Sequence, residues 1–190
     1  MRIHETKLDG AKLIELEPVR DNRGYFVRTF CEREFATHGL QTSFVQHSTT
    51  LTAVRGSIRG MHFQRPPASE VKVVSCLRGA IYDVVIDLRP NSPTRGRWQG
   101  FELSAVNQRR IYIPEGFAHG FQSLTDDVEV GYLISEFYTA DAATGAHFDD
   151  PAFGIKWPLP VTVISDKDRM WPDFAGWGAD QGWCEAIGPT

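Results

Sequence analysis

What constrains this chain most is a rhythm. From about residue 44 to 138, short β-branched and aromatic runs alternate with clusters of Gly, Pro, Asn and Asp, so the chain keeps changing direction. Chains with that rhythm form β-sandwiches or barrels. From Ala80 to Leu88, Tyr82, Val84, Ile86 and Leu88 share one face while Ile81, Asp83, Val85 and Asp87 share the other, the period-two alternation of a strand. Val71 to Leu77 is a second apolar run that stops at Arg78-Gly79, and the two segments together read as a hairpin. Further strands are expected at 99–104, 110–113 and 128–138, with turns at Asn91-Ser92-Pro93, Pro114-Glu115-Gly116 and Thr125-Asp126-Asp127. Asp83 and Asp87 on one face admit two readings: an exposed sheet edge, which is the commoner, or the wall of a polar cavity.

One short helix is expected, Cys31 to His38, Glu-rich at its start and followed by Gly39 where a left-handed residue ends a helix. After Tyr138 the sequence becomes an irregular Pro/Gly/Trp-rich tail, in which Trp157, Trp171, Trp177 and Trp183 can each cover part of a barrel or a subunit contact. With 190 residues the chain reads as one mainly β domain over 1–190, its core at about 15–170 and a tail at 171–190.

Lys and Arg number 20 against 24 Asp and Glu, a formal charge of -4. That balance lacks the positive footprint phosphate backbones require, so nucleic acid is not expected as a partner. Apolar runs are far shorter than the roughly 20 residues that cross a bilayer, and the first ten residues hold no apolar signal region. No membrane association is expected, and a cytoplasmic location is. Cysteines at 31, 76 and 184 are odd in number and widely spaced, which suggests reduced thiols rather than a disulfide framework.

The chemistry-bearing stretches are Arg59-Gly60-Met61-His62-Phe63-Gln64, then Glu70-Val71-Lys72, and some fifty residues later Pro114-Glu115-Gly116-Phe117-Ala118-His119-Gly120. Two His-bearing segments of this kind resemble the half-motifs of the cupin barrel, which implies a cupin-type jelly roll. Metal-binding cupins usually carry two His one residue apart in the first half-motif, and here Gln64 stands in the second position. His62, Glu70 and His119 remain as a reduced ligand set, so a metal-dependent enzyme stays open as an alternative.

The rest of the chain narrows the resemblance. Asp21-Asn22-Arg23-Gly24-Tyr25-Phe26, Phe44-Val45-Gln46, Ile58 to Gln64, Lys72, Asp83 to Arg89, Ser92-Pro93-Thr94, Ile113 to Phe121, Tyr132, Asp150-Pro151, Trp157-Pro158 and Ser165-Asp166-Lys167-Asp168 follow in order. Their order and spacing resemble the dTDP-4-dehydrorhamnose 3,5-epimerase family over about residues 15 to 170.

That resemblance implies cofactor-independent epimerisation, at C3, C5 or both, of a nucleotide-linked 4-keto-6-deoxy sugar, with no metal. The C–H bonds beside the ketone are acidic because the carbanion delocalises into an enolate. By resemblance His62 is the base, Asp168 orients its ring, and Tyr132 reprotonates from the opposite face. Lys72, with Arg59 or His119, would meet the charge developing on the C4 oxygen. Arg23, Arg59, Gln46, His119 and Lys167 fall in the substrate-binding set. Without the resemblance His62 would read as a core or turn histidine and Tyr132 as a strand aromatic, whereas Lys72 must point to solvent or line a polar cavity. The family is dimeric, so a homodimer with N-terminal strand exchange is implied as well.

Three departures lie in the binding set. Arg28 stands where the family commonly has Glu, His47-Ser48 where it reads Asp-Asn, and Thr144 where it is acidic. Replacing a carboxylate by a guanidinium turns acceptors into donors, which implies shifted recognition, toward another base, another keto sugar or one carbon only. Alternatives are therefore a mono-epimerase or ketoisomerase on the same scaffold and, from another class, a non-catalytic sugar-binding module.

Overall fold

The computed structural model describes residues 1–174, so Trp177, Trp183 and Cys184 lie outside the described residues. Two antiparallel sheets face each other. The larger is built from β1 (Arg2–Glu5), β2 (Lys12–Glu15), β5 (Gln46–Thr52), β7 (Lys72–Arg78), β10 (Arg109–Ile113) and β12 (Val128–Ile134), in the order β1-β2-β10-β7-β12-β5. The smaller holds β6 (Ile58–Gln64), β8 (Ala80–Asp87), β9 (Trp98–Ser104), β11 (Phe117–Ser123) and β13 (Ala143–Gly145), in the order β13-β6-β11-β8-β9. A separate hairpin joins β3 (Val19–Asp21) to β4 (Gly24–Phe26), and the helices are α1 (Glu32–Thr37) and α2 (Asp166–Arg169). This is the mainly β jelly roll expected from the sequence.

Three apolar layers follow from strand alternation. Val74, Cys76, Ile81, Val85, Leu103, Ile111, Phe121 and Val130 meet between the sheets. Phe35 of α1 packs with Ile14, Val73 and Tyr112 outside the large sheet, and Phe153, Ile155 and Trp157 of the tail pack on Val84 and Ile86 outside the small one. Full burial of each such side chain contributes about 1.5–3 kcal/mol. Tail and helix thus cover the sheets' outer faces and leave the interior to the strands.

The segments on either side of Gly79 do not form a hairpin. β7 pairs with β10 and β12, whereas β8 pairs with β11 and β9, so the turn carries the chain from one sheet to the other. Each strand is apolar on both faces and needs a neighbour on both edges, which a two-stranded ribbon cannot supply. β12 ends at Ile134 rather than 138, its last position paired on both sides, with Gln46 and Lys72. The exposed-edge reading of Asp83 and Asp87 is overturned as well. Both are fully buried because β8 is interior to its sheet; Asp83 pairs with His119, and Asp87 accepts from Arg89, Ser92 and Thr94. The helix near residue 31 forms with Cys31 and His38 as its caps and Gly39 at a φ of 67°.

Candidate active site

The site begins where β6 and β11 come unusually close. A Cβ on Gly60, whose φ is 115°, would lie 2.7 Å from Gly120 Cα, and one on Gly120 would lie 2.6 Å from the carbonyl oxygen of Arg59. Glycine on both strands is what permits the contact. The register shifts there, so Arg59 pairs with Phe121 and His62 with His119. Paired residues of antiparallel strands project to the same side. Phe121 belongs to the inner core, so Arg59, His62 and His119 all turn toward the barrel interior although Arg59 and His62 are three positions apart.

His62 opens onto a cavity of about 310 Å³ whose walls include Gln46, Gln64, Glu70, Lys72, Glu136, Tyr138, Thr144, Lys167 and Trp171. Asp168 reaches it from α2: His62 Nε2 lies 2.6 Å from Asp168 Oδ1, while Oδ2 accepts the Gly60 backbone N–H at 3.1 Å. The carboxylate is fixed from behind, because Ser165 caps the helix by accepting the Asp168 N–H at 3.1 Å. Burial raises the Asp168 carboxyl, but the hydrogen bond and charge of His62, with the Gly60 and Trp171 N–H groups, hold it below the usual carboxylate range. An ionised carboxylate only accepts, so Nε2 carries a proton toward Asp168, and in the neutral form of the ring Nδ1 presents a lone pair.

Lys72 Nζ lies 2.7 Å from Glu70 Oε1, both side chains nearly buried. His119 Nε2 lies 2.7 Å from Asp83 Oδ2; burial pushes that carboxyl above its usual range, with His119 offsetting part of the rise. The Tyr132 ring stands 6.2 Å from that of His119, edge to face. Burial pushes the Tyr132 phenol up to about 12, with contact to Thr50 and the charge of Arg59 opposing and that of Asp83 adding. His62, Glu70 and His119, the reduced metal set, are each committed to a different partner, and among the described residues no three such side chains converge on a point.

The structure therefore lines one cavity with His62, Lys72, Gln46 and Lys167; Asp168 is bound to His62, His119 is the strand partner of His62, and the Tyr132 ring meets that of His119. Arg59 lines an adjoining recess with Asp168, held by Thr52 Oγ1 at 2.8 Å. Besides Arg59 and His119, three more expected binding residues are not walls of this cavity. Arg23 is exposed on the β3–β4 hairpin, paired with Asp21; Arg28 is exposed and faces Glu34 at 3.5 Å; Ser48 is exposed on β5 opposite Tyr132. Sequence reasoning named Glu70 as a possible metal ligand and Asp83 as an edge or cavity-wall residue but missed their pairing with Lys72 and His119, and it missed the walls Glu136 and Tyr138, since no local pattern says which buried charges meet. Gln64, which stands where a metal-binding cupin has His, is occupied structurally: it donates to the Ala68 and Phe137 carbonyls and accepts the Thr139 N–H.

With this geometry in view, comparison with known proteins is decisive. A model of the family described as dTDP-4-dehydrorhamnose 3,5-epimerase matches residues 5–176. The chain belongs to that family. Among relatives, the dTDP-4-dehydrorhamnose 3,5-epimerase of Methanothermobacter thermautotrophicus is 47% identical over 173 residues, covering 90% of this chain and 92% of the relative. The crystal structure of the Bacillus anthracis epimerase with TDP and pyrophosphate bound superposes with a TM-score of 0.88 at 41% identity, covering 90% of this chain and 98% of the other. ChmJ, a 3'-monoepimerase from Streptomyces bikiniensis in complex with dTDP-quinovose, gives 0.85 at 33% identity, covering 90% and 87%. The structural relatives of this chain thus include proteins named 3,5-epimerase and one named a 3'-monoepimerase.

Proposed function

We propose that this protein epimerises a dTDP-linked 4-keto-6-deoxy sugar at the carbons beside the ketone, without a cofactor. The observation that carries the reading is the His62–Asp168 pair at 2.6 Å on the wall of a cavity that also holds Lys72. The relatives named above support the substrate class. Nδ1 of His62 takes the proton from C3 or C5, and the imidazolium that forms is stabilised by Asp168. The electron pair moves into the C4 carbonyl, where Lys72, with Arg59 or His119, meets the negative charge in a partly closed site. Tyr132, whose phenol is pushed up to about 12 and so holds its proton at neutral pH before reaction, gives that proton to the opposite face; the phenolate and the His62 imidazolium are then reset by proton exchange with solvent.

The reading takes thymine as the base, supported by the TDP bound in the relative of known structure at 41% identity. Epimerisation at both carbons is the first reading, and at C3 alone the second, which ChmJ favours. Proton NMR in deuterated water with dTDP-4-keto-6-deoxyglucose tests both: loss of the C3 and C5 signals together supports the first, and loss of C3 alone the second. A binding series with dTDP, CDP, UDP and GDP tests the base.

The working unit is a homodimer. β1 and β2 pair within their own chain, joined to β10, so any exchanged element is the β3–β4 hairpin. It is exposed throughout, carries Val19, Tyr25 and Phe26 to solvent, and ends near Arg28. Swung over a second copy, it brings Arg23 and Arg28 to a cavity their own chain does not give them. Sedimentation velocity tests the assembly; a monomer that turns over substrate would refute it. Among the described residues no helix is long and apolar enough to cross a membrane, and a cytoplasmic location fits a nucleotide-sugar substrate.

A further inference from the structure

The carboxylate oxygen that faces His62 has a second donor. Trp171 Nε1 donates to Asp168 Oδ1 at 3.2 Å, the same oxygen that lies 2.6 Å from His62 Nε2. The indole is seated for this contact. A Cβ built on Gly145 would lie 2.5 Å from Trp171 Nε1 and Cε2, so only glycine leaves it room, and Gly145 is itself the strand partner of His62. Lys167 Nζ stands 5.3 Å from the centre of the indole, and the His62 and Trp171 rings meet edge to face at 6.3 Å. Trp171 therefore touches the base, its carboxylate and a cavity-lining lysine at once.

We propose that Trp171 is a positioning residue that sets the strength of the base: by sharing the charge of Asp168 Oδ1, it weakens the hold of that oxygen on the His62 proton. This rests on the reading of His62 as the base. A carboxylate oxygen with two N–H donors divides its charge between them, and removal of one leaves the other bond stronger. The Trp171 hydrogen bond is also among the influences that keep the Asp168 carboxyl low. The other charged and titratable groups around the pair are Lys167 on α2, Arg59 on β6, Glu70 with Lys72 at the start of β7, His119 with Asp83 from β11 and β8, and Glu136 after β12. A substitution at residue 171 that removes the indole N–H changes the charge of none of them.

The test is Trp171→Phe, with Trp171→Leu as a second donor-free variant should the first fail to fold. In the free protein, the His62 Nε2 proton resonance in 15N-edited NMR is expected to move downfield as the bond to Asp168 strengthens. With substrate, the acid limb of the pH profile of kcat is expected to move up by about half a unit, roughly a threefold loss of rate below it, with KM unchanged. If Trp171 only fills space, both variants leave the resonance and the limb in place, and the proposal is overturned. The resonance needs no substrate. A wild-type protein that exchanges no sugar proton refutes the functional reading, and the resonance alone then decides the role of Trp171.

Discussion

His62 and Asp168 lie 106 positions apart in the chain, yet Nε2 and Oδ1 stand 2.6 Å from each other. Each is placed by its own segment, and the fold brings the two segments together. His62 is aimed inward by a register shift between two glycines, and Asp168 is delivered by a one-turn helix whose cap, Ser165, fixes the approach.

Removing the imidazole should abolish chemistry and spare binding. His62→Asn is expected to lower kcat for substrate C–H exchange by about 10²–10⁴, the usual contribution of a positioned acid or base. dTDP affinity, measured by calorimetry, should change little. A variant that still exchanges protons at the wild-type rate would remove His62 from the reaction.

Tyr132→Phe separates the two faces of the reaction. The base is untouched, so deuterium should still enter the substrate from solvent, while inverted product falls sharply. Product analysis by NMR beside the exchange rate checks this. At about pH 10, where ordinary tyrosines ionise, wild type and variant should differ by no tyrosinate absorbance, because Tyr132 holds its proton up to about 12.

Asp168 ties stability to pH, and the sign follows from its depressed carboxyl. The folded state holds that proton less tightly than the unfolded chain does, so the group stabilises the fold fully above the ordinary carboxylate range, and the contribution is lost as pH falls through the lower folded value. Urea denaturation should therefore show Asp168→Asn less stable than wild type at neutral pH, with the gap narrowing toward about pH 3. An equal gap at both values would contradict the assignment.

The crossing of β6 and β11 tolerates no side chain. Gly120→Ala would set a methyl 2.6 Å from both the Arg59 carbonyl oxygen and Met61 Sδ, and Gly60→Ala adds a positive φ to a backbone clash. Each is expected to cost about 2–4 kcal/mol, read as a lowered Tm. Activity should fall further than stability, since the same crossing aims His62.

Strands β7 to β10 and β12, the turns named beside them and the short helix were legible because hydrophobic alternation and turn chemistry are local properties of a chain. The candidate site came from the resemblance, carried by His62, Lys72, His119, Tyr132 and Asp168 in order along the chain, and the structure sets His62 and Lys72 on one cavity with Asp168 against His62. Strand pairing was not legible. Alternation shows that Val71 to Leu77 and Ala80 to Leu88 are strands, but both are apolar on two faces, and only the closing of two sheets around one core decides that they part company at Gly79. Charge partners were hidden for the same reason. Asp83 became buried because β9 and β11 flank it, and Glu70 and Trp171 acquired roles from residues that folding, not sequence, put beside them. The sequence determines which residues can do the chemistry, since side-chain type is local; the tertiary structure decides which meet, since burial and hydrogen bonding depend on what lies across the sheet.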